Sequence, residues 1–161
     1  MSKLRTFVRA MIGGAIVLGA SVAAAPAAHA DTVTCSIIEI EASTADAPSI
    51  DAGLKPLEKK LKKPPFSSWN SFKQLGSQSL SLETLKPSEA SLVHGKATLI
   101  LREMTAGAGK KTRLSLGISL DDDGGKRVLD SKVNVDANDY FVVGRSLPAN
   151  KGHLVALTCT P

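Results

Sequence analysis

The sequence predicts a mainly β domain, a β-sandwich or curled antiparallel sheet of six to seven strands carrying one amphipathic helix, with α+β as the second choice. Three observations support this. Leu114, Leu116, Ile118 and Leu120 alternate strictly with polar or small residues, the pattern of a half-buried strand. Several further short apolar runs are separated by turn residues such as Asp121-Asp122-Asp123-Gly124-Gly125. Only one stretch, beginning at Leu54, has helical spacing.

The elements follow in chain order. Residues 1–30 read as a cleaved secretory signal peptide. Lys3, Arg5 and Arg9 provide a positive start, an apolar small-residue stretch runs from Met11 to about Ala28, and Ala28-His29-Ala30 matches the A-x-A cleavage pattern. Residues 31–161 then form a single β-rich domain, a natural length for one core. Thr32 to Ala42 is the first strand, and its apolar phase shifts at Ile37-Ile38, which predicts a bulge or burial on both faces. Ser43 to Gly53 is made of turn residues and reads as a loop.

The helix comes next. Leu54, Leu57 and Leu61 fall within about 60° of one another at helical spacing. Lys55, Lys59, Lys60, Lys62 and Lys63 lie mostly opposite, Pro56 fits only in the first turn, and Pro64-Pro65 stops the helix near Lys62. Phe66, Trp69 and Phe72 recur every third residue, which predicts a short helical or 3₁₀ turn rather than a strand that would alternate their faces. Beyond them lie strand candidates at Leu75 to Leu82, Ala97 to Met104, Leu114 to Leu120, Arg127 to Val135, Tyr140 to Gly144 and Gly152 to Thr160. A flexible turn is expected at Ala106-Gly107-Ala108-Gly109. The later strands read as an antiparallel meander, and the helix should lay its leucines over a sheet face or close an open end.

Cys35 and Cys159 are the only cysteines. In an exported chain an even count favours a disulfide, which would clip the first strand to the last. Closing a loop that long is worth about 4–5 kcal/mol by chain entropy. With no C-x-x-C pair, a redox role is not indicated.

Charge narrows the choice of partner. The full chain carries 20 Lys+Arg against 15 Asp+Glu, net +5. Lys3, Arg5 and Arg9 leave with the leader, so 17 basic residues face the same 15 acids and the mature balance is +2. Nucleic acid is therefore not expected as a partner. What remains is asymmetry, because residues 54–75 hold six Lys and one acid while the rest of the domain is net −3. The predicted binding face is thus Lys55, Lys59, Lys60, Lys62, Lys63, Phe66, Trp69 and Phe72, and the predicted partner is an envelope protein or an anionic surface. The competing reading is an ordinary solvated lysine face beside aromatics that fill a core edge.

Catalytic and cofactor patterns are lacking. His94 and His153 show neither H-x-x-x-H nor H-E-x-x-H spacing, so no metal and no cofactor is assigned. Neither a G-x-S-x-G elbow nor a Ser-x-x-Lys pair occurs, so no catalytic residue is named. Asp121–Asp123 departs from a Ca²⁺ loop and reads as a solvated hairpin tip.

The segment Lys63-Pro64-Pro65-Phe66-Ser67-Ser68-Trp69-Asn70-Ser71-Phe72-Lys73 resembles one in small uncharacterised exported bacterial proteins. In those a helix precedes K-P-P-F-x-x-[aromatic]-x-[ST]-F-K and a β-rich region follows. The resemblance covers residues 54–75, while the serine-rich spacing from Leu75 to Leu92 departs from it. It implies export and a β-rich fold, and no activity or functional residue comes with it.

The expectation is an exported, periplasmic or secreted, non-enzymatic binding or structural module, with no transmembrane segment after cleavage. The alternative is a small secreted hydrolase or ligand carrier with a site assembled in space. A hydrolase should bring His94 or His153 against a Ser or carboxylate inside a cleft. A binding module should expose Trp69 or Phe66 beside the lysines, and a purely structural component predicts neither arrangement.

Overall fold

A computed structural model describes residues 32–106 and 111–161. The leader expected at 1–30 lies outside the described residues, as does most of the expected turn at 106–109. The chain forms two packed sheets with a short helical segment on the outside of one of them. The five-stranded sheet has the order β2-β3-β1-β9-β8 and the four-stranded sheet the order β4-β5-β6-β7. Its strands are β1 (Thr32–Ser43), β2 (Ser49–Ile50), β3 (Ser71–Glu83), β4 (Pro87–Leu92), β5 (Gly95–Thr105), β6 (Arg113–Asp121), β7 (Arg127–Asp136), β8 (Tyr140–Leu147) and β9 (Lys151–Thr160). Pairing within the sheets is antiparallel except between β2 and β3, which run parallel.

The mainly β expectation holds, and the phase shift in the first strand has the predicted consequence. Val33, Cys35 and Ile37 enter the core between the sheets, while Ile38, Ile40 and Ala42 enter a second core on the outer face of the five-stranded sheet. β1 therefore needs apolar residues on both sides, and a bulge interrupts its register with β3 between Glu39 and Ile40. The inter-sheet core is aliphatic, with Leu99, Leu101, Leu114, Leu116, Ile118 and Leu120 facing Leu82, Val155 and Leu157.

The helical segment is a 3₁₀ turn, Ala52–Leu57, continued by one α turn, α1 (Glu58–Leu61). Pro56 lacks an amide hydrogen and lies in the 3₁₀ part, so regular α geometry begins only after it. Leu54, Leu57 and Leu61 are each 0% exposed and cover the outer face of the five-stranded sheet as predicted. Each such burial is worth about 2 kcal/mol.

The two cysteines lie directly opposite one another on β1 and β9 and form the expected disulfide, spanning 124 residues of sequence. The Asp121–Asp123 run makes the β6–β7 turn. Asp122 Oδ1 accepts the amides of Gly124 at 3.0 Å and Lys126 at 2.9 Å, an Asx-type turn closed by Gly125 at positive φ.

Three expectations are corrected. The loop predicted from Ser43 to Gly53 contains β2, which is held by backbone bonds from Ser49 to Asn70 and from Asp51 to Phe72. The segment Pro87–Leu92 is a strand although only Ala90 is fully buried in it, because an edge strand needs little apolar content. The predicted meander is continuous only through β5, β6 and β7. Beyond β7 the chain crosses to the other sheet, where β8 pairs with β9.

Candidate binding face

The predicted aromatic triplet is divided between two elements. Phe66 opens a 3₁₀ turn, Phe66–Ser68, and Trp69 follows it, but Phe72 belongs to β3. Phe72 is 2% exposed and packs beneath the leucines, so it forms the floor of this face rather than part of its exposed rim. Phe66 and Trp69 are half-buried against the same cluster. Trp69 Nε1 donates to the Asn150 carbonyl at 3.0 Å, and its ring lies over Gly152, where an added Cβ would come within 2.7 Å of it.

The five lysines differ in their partners. Glu58 sits between Lys55 and Lys62, at 3.8 and 2.6 Å, and Lys60 reaches Asp139 at 3.2 Å. Its bond from Lys62 and the charge of Lys55 hold the Glu58 carboxyl below its usual value, and the Lys60 bond does the same for Asp139. Lys59 and Lys63 carry no ion pair among the described residues. Their charge is available to an anionic partner.

Two grooves border this ridge. One, of about 460 Å³, has Ile50, Trp69 and Phe72 as its apolar wall and Lys55, Lys62 and Glu58 along its rim. The other, of about 240 Å³, lies between Lys60, Lys63 and Phe66 on one side and Tyr140 and Val142 of β8 on the other. Sequence reasoning missed Tyr140, Val142 and Asp139 as parts of this face. They arrive through the placement of β8, which no local pattern encodes.

The histidines converge elsewhere. Glu39 and His153 are 3% and 2% exposed, on the inner side of the five-stranded sheet at one end of the core. His153 Nε2 and Glu39 Oε1 are 2.8 Å apart. The same carboxylate accepts the Val93 amide at 2.6 Å and the His94 amide at 2.9 Å, which anchors the β4–β5 turn. The His94 ring stands edge-on to His153, with centroids 5.3 Å apart. A carboxylate thus meets a histidine, as the hydrolase reading required, but neither groove described above includes either residue. Each Glu39 oxygen is already committed to a turn amide, so the cluster works as a clamp. Its sequence signal is an acid set between two isoleucines, Ile38-Glu39-Ile40.

Among the described residues no group of three or more His, Cys, Asp or Glu could hold a metal ion, and no helix is long and apolar enough to cross a membrane. No protein-family model matches the sequence, and no curated protein matches it.

Proposed function

We propose that the protein is exported with the help of a leader at residues 1–30 and acts outside the cytoplasm as a non-enzymatic binding module. Its binding face is the ridge of residues 54–73, formed by Lys55, Lys59, Lys60, Lys62, Lys63, Phe66 and Trp69. The Cys35–Cys159 disulfide supports an oxidising compartment. The observation that carries the reading is the grouping of half-buried Trp69 and Phe66, each lining a groove, with lysines of which two have no ion pair among the described residues. Apolar anchors ringed by charge are the usual make-up of a recognition patch.

Lys59→Glu combined with Lys63→Glu tests it, because neither change breaks an ion pair described above. Co-sedimentation of the pure protein with isolated envelope fractions and with anionic vesicles should fall sharply, while the thermal melt stays unchanged. Equal co-sedimentation of wild type and variant would overturn the reading. A carrier of a small ligand is the second reading, favoured by the 460 Å³ groove, whose size suits a small molecule.

A further inference from the structure

The two sheets end in four outermost strands that are closed off in different ways. β2 is two residues long, β4 opens with Pro87 and carries Glu89, and β7 carries Arg127, Asp130, Lys132 and Asp136. Shortness, proline and charge all discourage a further chain from pairing. β8 has none of these over its first five residues, Tyr-Phe-Val-Val-Gly, and Arg145 is its first charged residue. Both of its faces are apolar. Tyr140 and Val142 pack into the helix cluster, and Phe141 and Val143 into the inter-sheet core.

β8 pairs with β9 on one side, and among the described residues no strand pairs with its other side. The register shows which backbone groups lie on that side. The Asn138 amide bonds the Cys159 carbonyl, so Cys159 turns its backbone toward β8. By strand alternation Leu157, Val155 and His153 do the same, and their partners Phe141, Val143 and Arg145 face β9. Val142, Gly144 and Ser146 are left with their N–H and C=O groups directed outward, and Tyr140 with its C=O, because its amide donates to Asp139 Oδ1 at 2.8 Å. The 240 Å³ groove runs beside this edge, bounded by Lys60, Lys63, Pro64 and Phe66.

The geometry points to β8 as a docking edge for an extended peptide strand with acidic side chains on one face. This rests on the lysine–aromatic ridge being the binding face, and it names the chemistry of the partner. The incoming backbone continues the five-stranded sheet, and alternate side chains lie on opposite faces. On the helix side, acidic side chains meet Lys63 and Lys60 beside Phe66 and Tyr140. On the inner side, apolar side chains extend the surface of Phe141.

The test uses a labelled ten-residue peptide alternating valine and glutamate, a lysine-for-glutamate counterpart, and the acidic peptide N-methylated at alternate amides. The acidic peptide should bind saturably by fluorescence anisotropy and slow amide exchange at Val142, Gly144 and Ser146. The other two should bind at least about tenfold more weakly. Val142→Pro removes an outward amide at a position where an edge strand tolerates proline, and it should weaken binding similarly. The N-methylated peptide makes the same test without altering the protein. Equal binding by the N-methylated peptide, or binding that leaves β8 exchange unchanged, would overturn the strand-addition inference. So would a concentration-dependent dimer that protects the β8 amides, since that makes a second copy the occupant. If Lys59→Glu with Lys63→Glu abolishes envelope binding while Val142→Pro leaves it intact, the ridge stands and the strand-addition inference falls.

Discussion

Glu39 and His153, 114 positions apart in sequence, meet at 2.8 Å at the end of the core beneath the β4–β5 turn. Arg145 lies opposite His153 in the β8–β9 register, and its Nε and the His153 Nδ1 are buried with no hydrogen-bond partner among the described residues. Burial pushes the Glu39 carboxyl up, but the bonds from His153, Val93 and His94 outweigh that and hold it below its ordinary value. A carboxylate lowered in the folded state stabilises the fold above its unfolded value, about 4.3, and this contribution disappears as pH falls through the lowered value.

The melting temperature should therefore decline as pH is taken below about 4.5. Glu39→Gln should show a shallower decline, the residual slope belonging to exposed carboxylates such as Glu58 and Asp139. At neutral pH, Glu39→Ala leaves two turn amides and His153 unpartnered, which should cost about 2–4 kcal/mol in urea unfolding. An acid limb of equal slope in Glu39→Gln would remove the clamp from the account.

Reduction should loosen the sheet within its interior, because the disulfide joins the adjacent strands β1 and β9, third and fourth in the order β2-β3-β1-β9-β8. Chain entropy assigns its loop about 4–5 kcal/mol, which for a domain of this size corresponds to a melting temperature lower by about 10 °C or more. Calorimetry with and without reductant measures it, and equal melts would contradict it.

Leu57→Ala should destabilise by about 2–4 kcal/mol, since the side chain is fully enclosed between the helical segment and the sheet. Lys59→Glu on the opposite side should leave stability within about 0.5 kcal/mol. Chemical denaturation of the two variants separates the packing role of the helix from its charged face.

Gly152→Ala places a methyl group 2.7 Å from the Trp69 ring, so the ring has to move and its bond to Asn150 is strained. The expected result is a loss of about 1–3 kcal/mol and a shift in tryptophan emission. Unchanged emission would mean that the ring does not rest on Gly152.

Where burial is one-sided or complete, the sequence displays it. The alternation from Leu114 to Leu120 located β6, and the leucine spacing identified the covering helix because each leucine had to face the same sheet. β4 is not legible because Ser88, Glu89 and Ser91 have the composition of a turn and Ala90 is its one fully buried residue. Phe72 was misassigned because a three-residue recurrence looks the same whether its last member ends a turn or begins a strand. The order of strands decides that Tyr140 faces Phe66 across a groove, and local composition carries no record of it. The lysines of the candidate site were readable, whereas the distinction between paired Lys60 and unpaired Lys63 depends on Asp139, which arrives from a distant turn.

Trp69 is the only tryptophan in the chain and lines the larger groove, so its emission reports on the proposed face directly. Titrating the protein with isolated envelope fractions should change that emission saturably, and Lys59→Glu with Lys63→Glu should abolish the change. Co-sedimentation that leaves Trp69 emission unaltered, or a change that persists in the double variant, would contradict the assignment of residues 54–73 as the binding face.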